Sequence, residues 1–355
     1  MPSNPWKPSR HVRRPAVLME PIEESGCWYP KDLVGTDAWV YRLSDREIAD
    51  VLDAVSAVKK QDLDIKEITK ADFPLPVLAP ALKEIKSELM EGRGFALIRG
   101  LPIEGMSPYE YTAAFWGVST HVGQAISQNG EGHLIGHVTN KGNSLQTQTG
   151  RGYRSNEELF FHCDRCDIAG LMTLRLAKAG GQHRICSSVA VYNEMLKRRP
   201  ELAEALTFHF YMSRRGEIPA GETEPWFRQP VFSVKDGYFS ARGASATGIV
   251  RAQELPGVEK LTPEQRESID VYQEFANELS LDVDFEIGDM SYAQSHVTLH
   301  ARTEFEDWPE KDRRRHLLRM WINTGGERPL VPEVGREIER GIVLDRVKVT
   351  VPLEA

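Results

Sequence analysis

His162-Cys163-Asp164 and, much later in the chain, His300 are the residues whose types and spacing could do chemistry. Two imidazoles and one carboxylate are the donor set that holds a non-haem Fe(II) ion and leaves positions open for oxygen and a substrate. Residues i and i+2 of a strand share a face. Phe160-Phe161 favours a strand, so His162 and Asp164 would address one ion while Cys163 points away. His300 is a candidate third donor. It closes the run Tyr292–His300, in which His296 competes from the same strand face. Two histidines at that spacing can also bind zinc on a helix, but Val297 stands where the HExxH motif needs Glu. Taken alone, the pattern also fits an exposed strand histidine beside a solvated aspartate, or a zinc ion with an open position.

Arg313–Asn323 reads as a strand. Arg315, Leu317, Arg319 and Trp321 share one face, and His316, Leu318, Met320 and Ile322 the other. Both faces look buried, and a buried guanidinium is costly without an anion. A bound dicarboxylate would satisfy it, because the guanidinium fork matches a carboxylate bidentately. Internal Asp or Glu residues could do the same.

Several elements must position these residues. The first 40 residues are Pro-rich and aperiodic, and read as an arm wrapping one domain over 41–323, with a tail over 324–355. Ser44 and Glu47 form a capping box that opens a helix with Ile48, Val51, Leu52, Val55 and Val58 on its inner side. Leu82, Ile85 and Leu89 mark a second helix, and Gly94–Gly100 encloses a short buried strand. Ser107-Pro108 with Glu110, Ser188, and Thr262-Pro263 with Gln265 start further helices, that from Ser188 running through Leu196. Residues 120–160 read as strands joined by long loops, and loops at 120–160 and 210–260 are expected to line the pocket. Leu171–Leu176 and Leu281–Ile287 read as strands, Gly180-Gly181 as a turn, and Val231–Ser240 as a hairpin about Asp236-Gly237. Arg214-Arg215 reads as a solvated face. Val347–Val351 is strand-like, expected to pack on its own domain or on a second copy in a homo-oligomer. Helices first and strands later, without a βαβα order, argue for a mainly β fold with helical insertions (α+β) and a jelly-roll double sheet.

Composition narrows the partners. With 44 Lys+Arg against 52 Asp+Glu the net charge is −8, and no basic block points to nucleic acid. The start of the chain has no apolar leader, and no apolar run approaches the roughly 20 residues that span a bilayer. A cytoplasmic protein is expected. Four cysteines in 355 residues are no disulfide scaffold. Cys163 and Cys166 form a CxxC, but a second pair of ligands at zinc spacing is missing, so they are read as ordinary thiols.

His162-x-Asp164, Gly180-Gly181, Leu299-His-Ala-Arg-Thr-Glu-Phe305 and Arg314-Arg-His-Leu-Leu-Arg-Met-Trp321 together resemble the taurine/2,4-D dioxygenase family of Fe(II)- and 2-oxoglutarate-dependent oxygenases, from about Gly94 to Asn323. The resemblance implies a double-stranded β-helix. It implies iron held by His162, Asp164 and His300. It also implies that Arg315 grips the distal carboxylate of 2-oxoglutarate, and that Arg319 meets an acidic substrate group or the near end of the cosubstrate. His183 stands where the family often has a Thr that helps hold 2-oxoglutarate, and it either replaces that hydrogen bond or leaves it unmade. Asn156 falls where members place substrate-side residues. The implied reaction consumes O2 and 2-oxoglutarate, releases succinate and CO2, and hydroxylates a small organic substrate, acidic if Arg319 serves it. Fragmentation follows if the new hydroxyl sits beside a heteroatom. Asp164 itself argues against halogenation, since related halogenases carry a small residue there. The rival classes are a zinc hydrolase or isomerase on a cupin-like fold, and a jelly roll that has lost catalysis.

Overall fold

The apolar runs settle into two facing sheets in the computed structural model, which describes residues 4–143, 150–243 and 246–355. The large sheet runs in the order Val40–Arg42, Phe95–Arg99, Met290–Gln294, Ile168–Arg175, His316–Asn323. The far edge of the last strand carries both Gln124–Ile126 and Ile135–Val138. The small sheet runs Ser280–Val283, His183–Ser187, Thr298–Arg302, Leu159–His162. All neighbours pair antiparallel except the first two of the large sheet.

Period-two alternation sorts side chains to either side of the sheet. Phe95 and Leu97 point between the sheets, against Ile185, Leu281 and Val283 of the small one. Ala96 and Ile98 point outward, under Leu82, Ile85 and Leu89 of the helix Ala79–Glu91. The helices Asp45–Lys60 and Pro108–Ser119 complete that outer layer. Ser188–Arg198 and Pro263–Glu278 back the small sheet through Val189, Tyr192, Tyr272 and Phe275. The architecture is the jelly-roll double sheet with helical insertions that the residue order implied. Among the described residues no helix is long and apolar enough to cross a membrane.

The capping boxes at Ser44/Glu47, Ser107/Glu110 and Thr262/Gln265 form as expected. The hairpin turn at Asp236-Gly237 has positive φ at both central residues (49° and 77°), as a two-residue turn between twisted strands needs. Ahead of the strand Val40–Arg42, Ala16 N donates to the Gly237 carbonyl and Trp28 Nε1 to that of Arg93, which holds this stretch against the rest of the chain.

Four expectations change. The strand begun at Leu281 ends at Val283 rather than Ile287. Buried Arg99 forks onto Asp289 (3.0 and 2.7 Å) and takes the Asp284 carbonyl at 2.6 Å, which pulls that segment into a loop. The helix expected to be capped by Ser188 is capped by Ser187, whose Oγ accepts from Ala190 N at 3.0 Å. Val347–Val351 forms only a single bridge, Thr350 to His133, on its own chain. The run Tyr292–His300 is two strands in different sheets, Met290–Gln294 and Thr298–Arg302, joined by a crossing at 295–297. Of the stretch 120–160, residues 144–149 lie outside those described, as do 244–245 of the stretch 210–260.

The crossing at 295–297 is pinned by Asp167, whose carboxylate accepts from His296 Nε2 (2.9 Å), Thr324 N (2.8 Å) and Thr324 Oγ1 (3.0 Å). Burial, opposed by Asp167, pushes the His296 imidazole down to about 4. Burial with His137 beside it pushes His316 down to about 3. Both groups lie below the unfolded value of about 6.5, so the unfolded chain takes up protons first as pH falls. Their contribution is fully present above that value and is lost on acidification through it. The melting temperature of the metal-free protein should therefore be flat above about pH 7 and fall steadily below about pH 6. A melting temperature that stays level down to pH 4 would show that these imidazoles are not held neutral.

The Gly180-Gly181 turn is sterically required. Gly180 has φ +68°, and a Cβ there would lie 2.3 Å from the Glu304 carbonyl oxygen. Gly180→Ala should cost on the order of 2 kcal/mol in denaturant unfolding, from the left-handed backbone and the collision together. A loss under about 0.5 kcal/mol would show that the turn relaxes freely.

Candidate active site

The small sheet brings the donors together by register. His300 pairs directly with His162 across adjacent antiparallel strands, and their ring centroids lie 4.3 Å apart. Asp164 sits just beyond the end of Leu159–His162, not on the strand, so strand alternation is not what aims it. Its backbone is held by Arg242, which donates to the Asp164 carbonyl at 2.7 Å and to that of Ser295 at 3.2 Å. One ligand atom from each of His162, Asp164 and His300 falls within 4.8 Å of the others. His162 Nδ1 donates to the Phe160 carbonyl at 2.8 Å, which leaves Nε2 unprotonated for a metal. His296, the competitor, is excluded because the crossing turns it into the Asp167 pair.

The electrostatics suit a dication. Burial pushes the His162 imidazole down, and pushes His300 well down with His162 beside it. Burial alone would raise the Asp164 carboxyl, but Arg319, His300 and His162 outweigh it and hold it below the usual range. The site thus presents two neutral imidazoles and one carboxylate, the protonation states that ligation needs. Arg319 Nη1 donates to Asp164 Oδ1 at 3.1 Å, while Oδ2 faces His300 Nε2 at 4.0 Å. Gln128 orients Arg319, accepting from its Nε at 2.9 Å and donating to its carbonyl at 2.9 Å.

Arg315 lies just ahead of the strand His316–Asn323, buried, with its guanidinium over the Phe305 ring. Its backbone N–H donates to Asp307, but Nη1 is buried without a hydrogen-bond partner. Arg302, given no role in the sequence reading, lies over the same ring and also has a buried, unpartnered Nη1. Burial, opposed by Asp307, brings Arg315 down to about 10. Burial, with Arg315 nearby, brings Arg302 down to about 9. Among the described residues neither forms a salt bridge. His183 pairs with Arg302 across the sheet and stacks between Phe285 (4.9 Å) and His300 (5.8 Å). Burial, then Arg315 and His162, push its imidazole down to about 3, so it stands neutral between the metal-type donors and the arginines.

In front of the donors lies a cavity of about 140 Å³. His162, Asp164 and Arg319 line it, together with Tyr153, Phe227 and Trp321. Arg214 and Arg215, expected on a solvated face, line it too; Arg214 is only 2% exposed and pairs with Glu337 at 2.9 Å. Asn156 does not reach it: it is exposed, and its amide donates to the Phe305 carbonyl at 3.2 Å. Cys163 lines the cavity, contrary to the alternation argument, and accepts from Gly243 N at 3.1 Å. Cys166 is buried toward Ser295 instead, and both remain free thiols.

Comparison with known proteins agrees with this geometry. A relative described as FR-33289 synthase, from Streptomyces rubellomurinus, is 31% identical over 322 residues, covering 87% of this chain and 92% of its own. A taurine hydroxylase-like protein, SAT17, from Stachybotrys chartarum is 27% identical over 308 residues, covering 84% and 79%. Among solved structures, asparagine oxygenase with Fe(II), 2S,3S-3-hydroxyasparagine and succinate superposes with TM-score 0.63 at 17% identity, covering 81% of this chain and 94% of its own. The non-heme iron oxygenase OrfP with Fe and alpha-ketoglutaric acid has TM-score 0.63 at 15% identity, covering 86% and 99%. Residues 60–321 match the family described as "Taurine catabolism dioxygenase TauD, TfdA family". The chain belongs to that family of Fe(II)- and 2-oxoglutarate-dependent oxygenases.

Proposed function

We propose that His162, Asp164 and His300 hold the iron of this 2-oxoglutarate-dependent dioxygenase, and that Arg315 and Arg302 together receive the distal carboxylate of 2-oxoglutarate. One observation carries the reading. Two buried guanidinium groups with unpartnered Nη1 atoms flank a neutral imidazole, His183, on the same wall as the metal-type donors. A dicarboxylate spanning from the donors to Phe305 would satisfy both. Bound iron and 2-oxoglutarate supply oxygen activation, with succinate and CO2 released. The chain's own residues do the rest. Arg319 and Gln128 fix the Asp164 carboxylate, Arg242 fixes its backbone, and Tyr153, Phe227 and Trp321 wall the cavity in which a small acidic substrate is held for hydroxylation. A zinc hydrolase would leave Arg302 and Arg315 buried without a function, and it is set aside on that ground. The free thiols support a reducing, cytoplasmic location.

Anaerobic addition of Fe(II) and then 2-oxoglutarate should produce a weak visible charge-transfer band. Admission of air should then give succinate. A folded, iron-loaded protein with no such band overturns the assignment.

A further inference from the structure

Arg315 has to be aimed without a polar partner for its head. Among the described residues its guanidinium forms no salt bridge, and its Nη1 has no hydrogen-bond partner. What lies against it is the Phe305 ring and Gly181, where an added Cβ would stand 3.2 Å from Arg315 Nε. Its direction must come from the backbone. That backbone is held by side chains. The Arg314–Arg315 peptide is bonded at both ends: its carbonyl accepts from Arg175 Nε at 2.9 Å, and its N–H donates to Asp307 Oδ1 at 2.8 Å. Arg175 then reaches past Arg315 and donates from Nη2 to His316 Nδ1 at 3.0 Å. One guanidinium thus straddles Arg315, gripping the residue before it and the residue after it. The strand register slips at the same point. His316 pairs with Arg175 and Leu317 with Thr173, which leaves Leu174 over in a β-bulge. Bulges next to active sites serve to re-aim a side chain.

The grip is anchored further back. A guanidinium can only donate, so His316 Nδ1 accepts and its Nε2 carries the proton. That Nε2 donates to His137 Nδ1 at 2.8 Å, and His137 Nε2 donates to the Pro352 carbonyl at 3.0 Å. One set of tautomers satisfies all three bonds with both imidazoles neutral, the state that burial favours for each. Arg175, His316 and His137 are separate from the metal-type donors and from the cavity lining.

We infer that Arg175, backed by His316 and His137, is a positioning residue for cosubstrate binding, which aims Arg315 at the distal carboxylate of 2-oxoglutarate. The inference rests on the reading of Arg315 as a holder of that carboxylate. A group fixed before its ligand arrives loses less freedom on binding, so the straddling bonds raise affinity without touching the ligand. Their loss weakens only those ligands that Arg315 grips.

The test uses the full-length enzyme loaded anaerobically with Fe(II). Two ligands are titrated against the charge-transfer band: 2-oxoglutarate, and 2-oxopentanoate, the same chain with a methyl in place of the distal carboxylate. The wild-type enzyme should prefer 2-oxoglutarate. Arg175→Met should weaken 2-oxoglutarate about tenfold, the order expected when a binding group loses the bonds that orient it, and leave 2-oxopentanoate within about twofold. His316→Leu removes one of the two straddling bonds and should act the same way to a smaller extent, about threefold. In an Arg315→Gln background, Arg175→Met should cost less than about twofold more, because it acts through Arg315. Equal weakening of both keto acids makes Arg175 part of the architecture and overturns the inference. So does an unchanged preference in Arg175→Met, or in His316→Leu if Arg175→Met does not fold. A wild-type enzyme that binds the two keto acids equally, or an Arg315→Gln variant with the wild-type preference, overturns instead the reading of Arg315.

Discussion

Asp164→Ala is expected to abolish iron retention and to lower succinate formation by at least about 10³-fold, beyond the 10–100-fold that changes around a ligand usually cost. The effect is double because the carboxylate has two jobs. Oδ2 faces His300, while Oδ1 compensates the Arg319 guanidinium at 3.1 Å. Removing one partner of a buried pair leaves an uncompensated charge, which costs about 3 kcal/mol. Asp164→Ala should therefore lose both iron and metal-free stability. His300→Ala removes an imidazole that already stands neutral, so it should lose iron with a much smaller stability loss. Iron stoichiometry after anaerobic loading and denaturant unfolding of the apoproteins separate the two. If His300→Ala retains one tightly bound iron, or if Asp164→Ala unfolds like the wild type, the roles assigned here fail.

The second large effect concerns the cosubstrate. Arg315→Gln should weaken 2-oxoglutarate binding by about 100-fold, and Arg302→Gln by about tenfold, read from the charge-transfer titration. The double variant should lose less than the product of the two, because both groups serve one carboxylate. A further sign distinguishes ligand holding from architecture. Each guanidinium is a buried cation with an unsatisfied Nη1 when no anion is present. Replacing it by a neutral amide should leave the ligand-free protein equally stable or slightly more so. A large stability loss in ligand-free Arg315→Gln, with little change in 2-oxoglutarate affinity, would assign Arg315 to the fold instead.

How much of this was legible in the chain depends on how local each interaction is. Capping boxes involve residues three apart, so Ser44/Glu47 and Thr262/Gln265 could be read directly. His162 and Asp164 could be read as a pair, although the reason offered, shared strand faces, is not how Asp164 is aimed. The choice of His300 over His296 needed the crossing between sheets, which Asp167 and Thr324 create from distant parts of the chain. Arg214-Arg215 looked like a solvated surface because their partners, Glu337 and the cavity wall, are remote in sequence. Arg302 lies inside the motif Leu299–Phe305 but had no role to read, since only the Phe305 ring and Arg315 make its position notable.

By itself the sequence determined the donor types and the jelly-roll class, because residue chemistry and period-two alternation are properties of short segments. Only the tertiary structure decided why His300 and not His296 lies beside His162 and Asp164, and which arginines wall the cavity. Those are outcomes of register and of pairing between segments far apart in the chain, where burial turns a nearby charge into a decisive one.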